Sequence, residues 1–378
     1  MTTLHGSPAR CALAVAFLLC ARGLPAQMDP TDASHPGHRI EVTRLDADVY
    51  LMRAPSELDK WTSSNSVVVV GSTGVVVYDT NALSSTSRLV LDEIRKITDL
   101  PVRVVINSHW HMDHWSGNEV YADAFPGLRI ISTFETRSFM ERMPSPFFMR
   151  SAGVGPARER LDTAIETGLT TDGEPASDED IEQLREDLRE REVFEAEIGA
   201  IRRVLPNMTF SDSLSFSIDD REFRLYSVTG DASGSAVMYL PDEDILATGD
   251  VLVRQESGHG AQPWTINSYA VRDWLEGLRR LESFDAAIIV PGQGPALHDG
   301  EYLQTTRELY ETLIAGTDAA LMAGVLDLDE IRDRIDLVPF RARYALDTPE
   351  LEQRFEAVVG ALIRKIVQQS YDGAVPRY

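Results

Sequence analysis

The chain has 378 residues, 43% of them hydrophobic and 8% aromatic, which is enough to fill one large core or two small ones. Its 60 acidic residues against 36 basic ones give a formal charge of −24. That sign repels nucleic acid and anionic lipid, and no basic patch in the sequence offsets it, so no nucleic-acid partner is expected.

Residues 1–26 read as a signal peptide. A polar stretch ends at Arg10, "CALAVAFLLCA" is the apolar run, and Ala26 offers a small residue for cleavage. The run is too short for a stable membrane span, so the expectation is export to the periplasm or the medium. Loss of Arg10 and Arg22 would take the charge from −24 to −26. Cys11 and Cys20 would go with them, leaving no disulfide, thiolate ligand or cysteine nucleophile. Residues 27–39 follow as a flexible polar lead.

From residue 40 short β-branched segments alternate with turns. "VYLMR", "SVVVVGSTGVVVYDT" and "VRVVINSH" read as strands, with "GSTG" as a hairpin. Between them "SSTSRLVLDEIRKIT" is an amphipathic helix with Leu89, Ile94 and Ile97 on its apolar side. "GNEVYADAF" and "LRIIST" repeat the helix and strand pattern. Residues 134–205 differ: a Met-, Pro- and Phe-rich stretch precedes a long charged helix with apolar positions Ile181, Leu184, Leu188, Phe194, Ile198 and Ile201. They read as a helical insertion forming a lid or wall. Strands return with "LSFSIDDREFRLYSV", "SAVMYLP" and "DILATGDVLV", then a helix, then "AAIIVPGQG". The division is a domain over residues 40–300, made of two similar halves packed sheet against sheet, and a C-terminal helical extension over residues 301–378.

The chemistry concentrates in "HWHMDH". Alternate side chains of an extended segment point the same way, so His109 and His111 can present two imidazoles to one metal. Asp113 and His114 lie where the chain turns toward a helix, and can address a second ion beside the first.

"INSHWHMDHWSGN" resembles the signature of the metallo-β-lactamase fold superfamily. "VVVYDT" is similar to the family's early strand ending in an aspartate, here Asp79. "LATGD" resembles the segment whose aspartate bridges two metals, here Asp250. The resemblance covers about residues 45–300 and implies an α+β, four-layer αββα sandwich with metal at the sheet edge and, usually, hydrolysis. It further implies His109, His111 and Asp231 around one metal, and Asp113, His114, Asp250 and Gln293 around the other. Asp79 would fix a ligand or the loop, or cap a turn with Thr80 and Asn81. Two positions depart from the family pattern. Asp231 in "TGDASGS" and Gln293 in "PGQGP" stand where imidazoles belong.

The resemblance therefore implies one or two Zn²⁺ ions, with Mn²⁺ or Fe²⁺ favoured by the carboxylate-rich set. Asp113 would orient the attacking water or take its proton, acting on a small-molecule substrate. His259 and His298 could substitute for the missing imidazoles, whereas His35 and His38 sit in the polar lead. Trp61, Trp110, Trp115, Trp264 and Tyr269 could line a pocket. The readings are a metal-dependent hydrolase, a non-catalytic binding protein that has lost full dinuclear zinc binding, and a single-iron oxidoreductase or sulfur-handling protein.

Overall fold

The computed structural model describes residues 39–54, 64–143, 156–171, 173–254, 270–344 and 348–372. Residues 1–26, read from the sequence as a signal peptide, and His35, His38, Trp61, His259, Trp264 and Tyr269 lie outside the described residues.

Runs of valine build the first sheet because both of its faces are buried. Val67 and Val69 point into one apolar cluster and Val68 into another, and Val76 and Val77 divide in the same way. The strands are β1 (Glu41–Asp46), β2 (Val49–Arg53), β3 (Ser66–Val70), β4 (Val75–Tyr78), β5 (Val102–Ile106), β6 (Arg129–Thr133) and β7 (Met208–Phe210), side by side in that order. Pairing is antiparallel from β1 to β4 and parallel from β4 to β7. The hairpin at "GSTG" closes with the Gly71 N–H donating to the Gly74 carbonyl at 2.9 Å.

The second sheet holds β8 (Ser213–Ile218), β9 (Arg221–Val228), β10 (Ser235–Leu240), β11 (Ile245–Ala247) and β12 (Ile288–Val290), antiparallel except for the parallel β11 and β12 pair. One cluster fills the space between the sheets, with Leu51, Val69, Tyr78 and Ile106 from the first against Phe223, Leu225, Met238 and Ala247 from the second. Burying each such side chain is worth about 1.5–3 kcal/mol. Two helices, α1 (Ser84–Ile97) and α2 (Asn118–Ala124), cover the outer face of the first sheet.

The outer face of the second sheet packs on α6 (Val271–Glu282), α7 (Glu301–Met322), α8 (Leu328–Asp333), α9 (Val338–Arg343) and α10 (Pro349–Asp372). The result is the αββα sandwich. No helix among the described residues is long and apolar enough to cross a membrane. The sequence pattern does not mark β1, β7, α8 or α9. It also misplaces the inner face of α1, where Val90, Leu91 and Ile94 are buried and Ile97 is exposed.

Between β6 and β7 the chain forms α3 (Phe134–Arg142), α4 (Pro156–Thr167) and α5 (Asp178–Ala200). A reciprocal capping box of Ser177 and Asp180 starts α5. Ile198 and Met140 are buried against Trp110, Met112 and Trp115, with Phe194 and Ile201 beside them. α3 and α5 are thereby docked on the "HWHMDH" loop.

Gly117 ends that loop. A Cβ there would stand 1.9 Å from Ser87 Oγ and 2.0 Å from the Thr80 carbonyl. Neither neighbour can retreat, because the Ser87 hydroxyl already bonds the Thr80 and Leu83 carbonyls. Gly117→Ala is expected to cost about 1–3 kcal/mol in urea unfolding. An unchanged midpoint would mean that the loop yields freely.

Candidate metal centre

Five chain segments end at one edge of the sandwich. Asp79 follows β4, the "HWHMDH" loop follows β5, Asp231 precedes β10, Asp250 follows β11 and Gln293 follows β12. Parallel strands carry their C-terminal ends to the same edge, so Asp113 and Gln293, 180 positions apart, meet.

Asp79 has φ of +62°, which an aspartate tolerates better than most residues, and its side chain is fully buried. Its carboxylate accepts the Ser108 backbone N–H at 2.7 Å and faces His114 Nδ1 at 2.7 Å. This fixes which nitrogen of His114 looks into the site. His114 Nε2 lies 3.1 Å from Asp113 Oδ2 and 3.3 Å from Asp250 Oδ1. His109 Nε2 lies 3.8 Å from Asp250 Oδ2, and His111 Nδ1 lies 3.5 Å from Asp231 Oδ2.

Two sets of donors come within 4.8 Å of one another: His109, His111 and Asp250, and Asp113, His114 and Asp250. Asp250 belongs to both. Asp231 approaches His111 without joining either set. Gln293 sets its Nε2 3.2 Å from Asp113 Oδ2 and 3.4 Å from Asp250 Oδ2. His298 is exposed and in neither set.

These donors suit a divalent cation. The Nε2 atoms of His109, His111 and His114 and Asp250 Oδ1 are buried without hydrogen-bond partners, a cost that a bound ion would offset. Burial, with His114 and His111 adding to it, holds His109 well below its ordinary pKa, so it is a neutral donor. Burial would lower His114 too, but Asp113, Asp250 and Asp79 outweigh it and hold this imidazole well above its ordinary value. Among the described residues, Asp113 and Asp250 form ion pairs with histidines and with no Lys or Arg. The cluster is acidic and lacks a permanent cation of its own.

Sequence reasoning missed the polar frame beneath these donors. Asn107 and Asn118 exchange side-chain hydrogen bonds at 2.8 and 2.9 Å, and Asn107 also donates to the His114 carbonyl at 3.1 Å. The Ser64 hydroxyl donates to the Asp113 carbonyl. Asn65 donates from its backbone to the Gly292 carbonyl at 2.8 Å and from its side chain to the Pro291 and Gly294 carbonyls, both at 2.7 Å. The signal was available in part: Asn107, Ser108 and Asn118 are polar residues at the end of a buried strand, where they must be paired.

A family model described as the metallo-beta-lactamase superfamily matches residues 59–293. The chain belongs to the metallo-beta-lactamase superfamily. It is 27% identical over 307 residues to a linear primary-alkylsulfatase of Pseudomonas sp., a match covering 79% of this chain and 53% of that one. The chain thus spans about half the length of that curated relative. Among solved structures it is similar to a metallo-beta-lactamase from Pontibacter korlensis, with 19% identity, 72% of this chain, 99% of that chain and a TM-score of 0.49. It is also similar to the DIM-1 metallo-beta-lactamase, with 16% identity, 72% and 98% coverage and a TM-score of 0.46.

Replacing Asp79 by asparagine tests how this superfamily member holds its donors. An amide NH₂ facing His114 Nδ1 would turn that nitrogen into an acceptor and put the proton on Nε2, removing its lone pair from the site. Zn²⁺ affinity, measured by competition with a chelator, is expected to fall about 10–100-fold with the fold intact. Unchanged affinity would show that His114 needs no partner.

Proposed function

We propose that the protein is a metal-dependent hydrolase of small esters whose substrate class is a linear alkyl sulfate. The observation that carries the hydrolase reading is the pair of donor sets sharing Asp250, a juxtaposition suited to two adjacent cations and a water between them. The similarity to the alkylsulfatase supports the choice of ester. His109, His111 and Asp250, with Asp231 beside His111, would hold one ion; Asp113, His114 and Asp250 would bound the second position. Zn²⁺ is the expected ion, with Mn²⁺ or Fe²⁺ suited to the same carboxylates. Bound there, the metal supplies Lewis acidity and lowers the pKa of water into the neutral range.

The chain's own residues do the rest. Asp79 and Ser108 orient the imidazoles of His114 and His109, Ser108 Oγ lying 3.0 Å from His109 Nδ1. Asp113, one of the few donors with an exposed edge at 12%, can hold the proton of the attacking water. Water adds, one ester bond breaks, and an alcohol leaves with inorganic sulfate and one proton.

An aromatic rim supports an alkyl portion in the substrate. Of the three site histidines, only His111 reaches the surface, at 14%. Trp110 meets it edge-on at 4.4 Å and stacks on Phe139 at 5.5 Å. Phe139 and Phe134 on α3 are 40% and 57% exposed. A chain leaving the centre past His111 would lie on this apolar rim.

Metal-loaded protein is expected to release sulfate from octyl sulfate. Phe139→Ala should raise KM about tenfold with little change in kcat, the cost of removing about 50 Å² of apolar contact. Absence of sulfate release across chain lengths, with each of Zn²⁺, Mn²⁺ and Fe²⁺, would overturn the alkyl sulfate assignment.

A further inference from the structure

Helix α1 starts without a cap of its own. Leu83 stands at its N-cap and no acidic residue falls in its first turn, so α1 itself supplies no carboxylate to the N–H groups that open it. The acceptor comes from another part of the chain. Glu197, in the last turn of α5, takes the Ser85 backbone N–H on one carboxylate oxygen and the Ser85 hydroxyl, at 2.9 Å, on the other. A carboxylate at a helix N-terminus is favoured both by such donors and by the helix dipole.

A second carboxylate joins the same ends. Glu119, in the first turn of α2, accepts the Ser84 hydroxyl on one oxygen and the Arg202 backbone N–H, at 2.9 Å, on the other. Arg202 lies two residues beyond α5, and its guanidinium meets Asp123 of α2 at 2.6 Å. The C-terminal end of α5 is thus fastened to α1 and α2 by charged and backbone groups.

This fastening adjoins the metal loop. Ile198, the residue after Glu197, is buried in one cluster with Trp110, Met112 and Trp115. The same cluster takes in Ala82 and Leu83, between Asp79 and α1, and Ala232, next to Asp231. Consecutive side chains on a helix diverge by about 100°, so one residue grips α1 while the next enters the cluster. Trp110 in turn meets His111 at 4.4 Å and stacks on Phe139 at 5.5 Å. Apolar packing is non-directional and would by itself leave α5 free to slide on this cluster. The two-pronged contact of Glu197 with Ser85 fixes its register.

We infer that Glu197 is a positioning residue: it latches the C-terminal end of α5 to α1 as a fixed wall, holding Ile198 under Trp110 and so setting how the apolar rim meets a substrate chain. Of the two roles that the sequence leaves open for the insertion, lid or wall, this end of α5 takes the second. The latch depends on the fold alone, whereas its effect on chain-length preference rests on the alkyl sulfate substrate proposed above.

Two measurements on the full chain test the two halves. In hydrogen exchange, Glu197→Ala should speed the amides of Ser85 and of the last turn of α5 about tenfold. Glu197→Asp, which keeps the charge but is one methylene too short, should speed them too. Glu197→Gln should stay within about threefold of wild type, because its amide oxygen accepts the Ser85 N–H and its NH₂ donates to the Ser85 hydroxyl. In kinetics on metal-loaded protein, Glu197→Ala should raise KM for octyl sulfate about fivefold and leave kcat within about twofold. KM for ethyl sulfate, too short to reach Phe139, should stay within about twofold, and Glu197→Gln should restore the octyl value. A loss of folded protein would instead lower kcat for both esters alike. Unchanged exchange in both Glu197→Ala and Glu197→Asp would overturn the latch, as would a Glu197→Gln protein as loose as Glu197→Ala. Equal rises in KM for the two esters would overturn its role at the rim. A protein that hydrolyses no alkyl sulfate would refute the proposed function, and the exchange measurement would then decide the latch by itself.

Discussion

The contact between Asp79 and His114 is the constraint from which the rest of the centre follows. A carboxylate and an imidazole, both fully buried, face each other at 2.7 Å, and the second oxygen of the same carboxylate accepts the Ser108 N–H. With Nδ1 committed to Asp79, Nε2 has one direction left, toward Asp113 and Asp250. Such a buried charge pair gains stability only when its remaining polar atoms are also satisfied. Here one is not: His114 Nε2 is buried without a hydrogen-bond partner, as are His109 Nε2, His111 Nε2 and Asp250 Oδ1 around it. These unpaired donors cost the fold stability, a cost that a bound divalent cation would offset.

The sandwich makes this arrangement affordable. Its two sheets bury long valine and leucine runs on both sides, and that apolar burial carries strand ends from distant parts of the chain to one edge. The polar residues at the edge are paired locally: Asn107 with Asn118, Ser64 with Asp113, Asn65 with the segment around Gln293. The helices between β6 and β7 complete one side, since Ile198 and Met140 pack under Trp110 and Trp115. The "HWHMDH" loop and these helices therefore share one apolar cluster.

Much of this was legible in the sequence, for reasons that particular residues make plain. His109, His111, Asp113 and His114 are contiguous, so strand and turn geometry alone brings them together. Asp250 follows a short apolar strand and a glycine, and Gln293 follows "IIVPG", so the resemblance could locate both. What remained hidden depends on contacts across the fold. Nothing near Asn65 announces that it will hold a segment more than two hundred residues away, and nothing in "FETRSFMER" says that Phe139 will stack on Trp110. The face of α1 was misjudged because Leu89 and Val90 are both apolar, and only packing on the sheet decides between them. Both Asp231 and Gln293 replace imidazoles, and the sequence already separates them: Asp231 is a competent anionic ligand, whereas Gln293 offers only a neutral amide oxygen. In the structure they differ, one lying beside His111 and the other across two carboxylates.

X-ray absorption at the zinc edge, on stripped protein given one equivalent of Zn²⁺, probes the centre most directly. The account predicts a low-coordinate shell of nitrogen and oxygen donors at about 2.0–2.1 Å with the outer-shell scattering of two imidazoles, lost in His111→Ala. A shell of oxygen donors alone, without imidazole scattering, would contradict it.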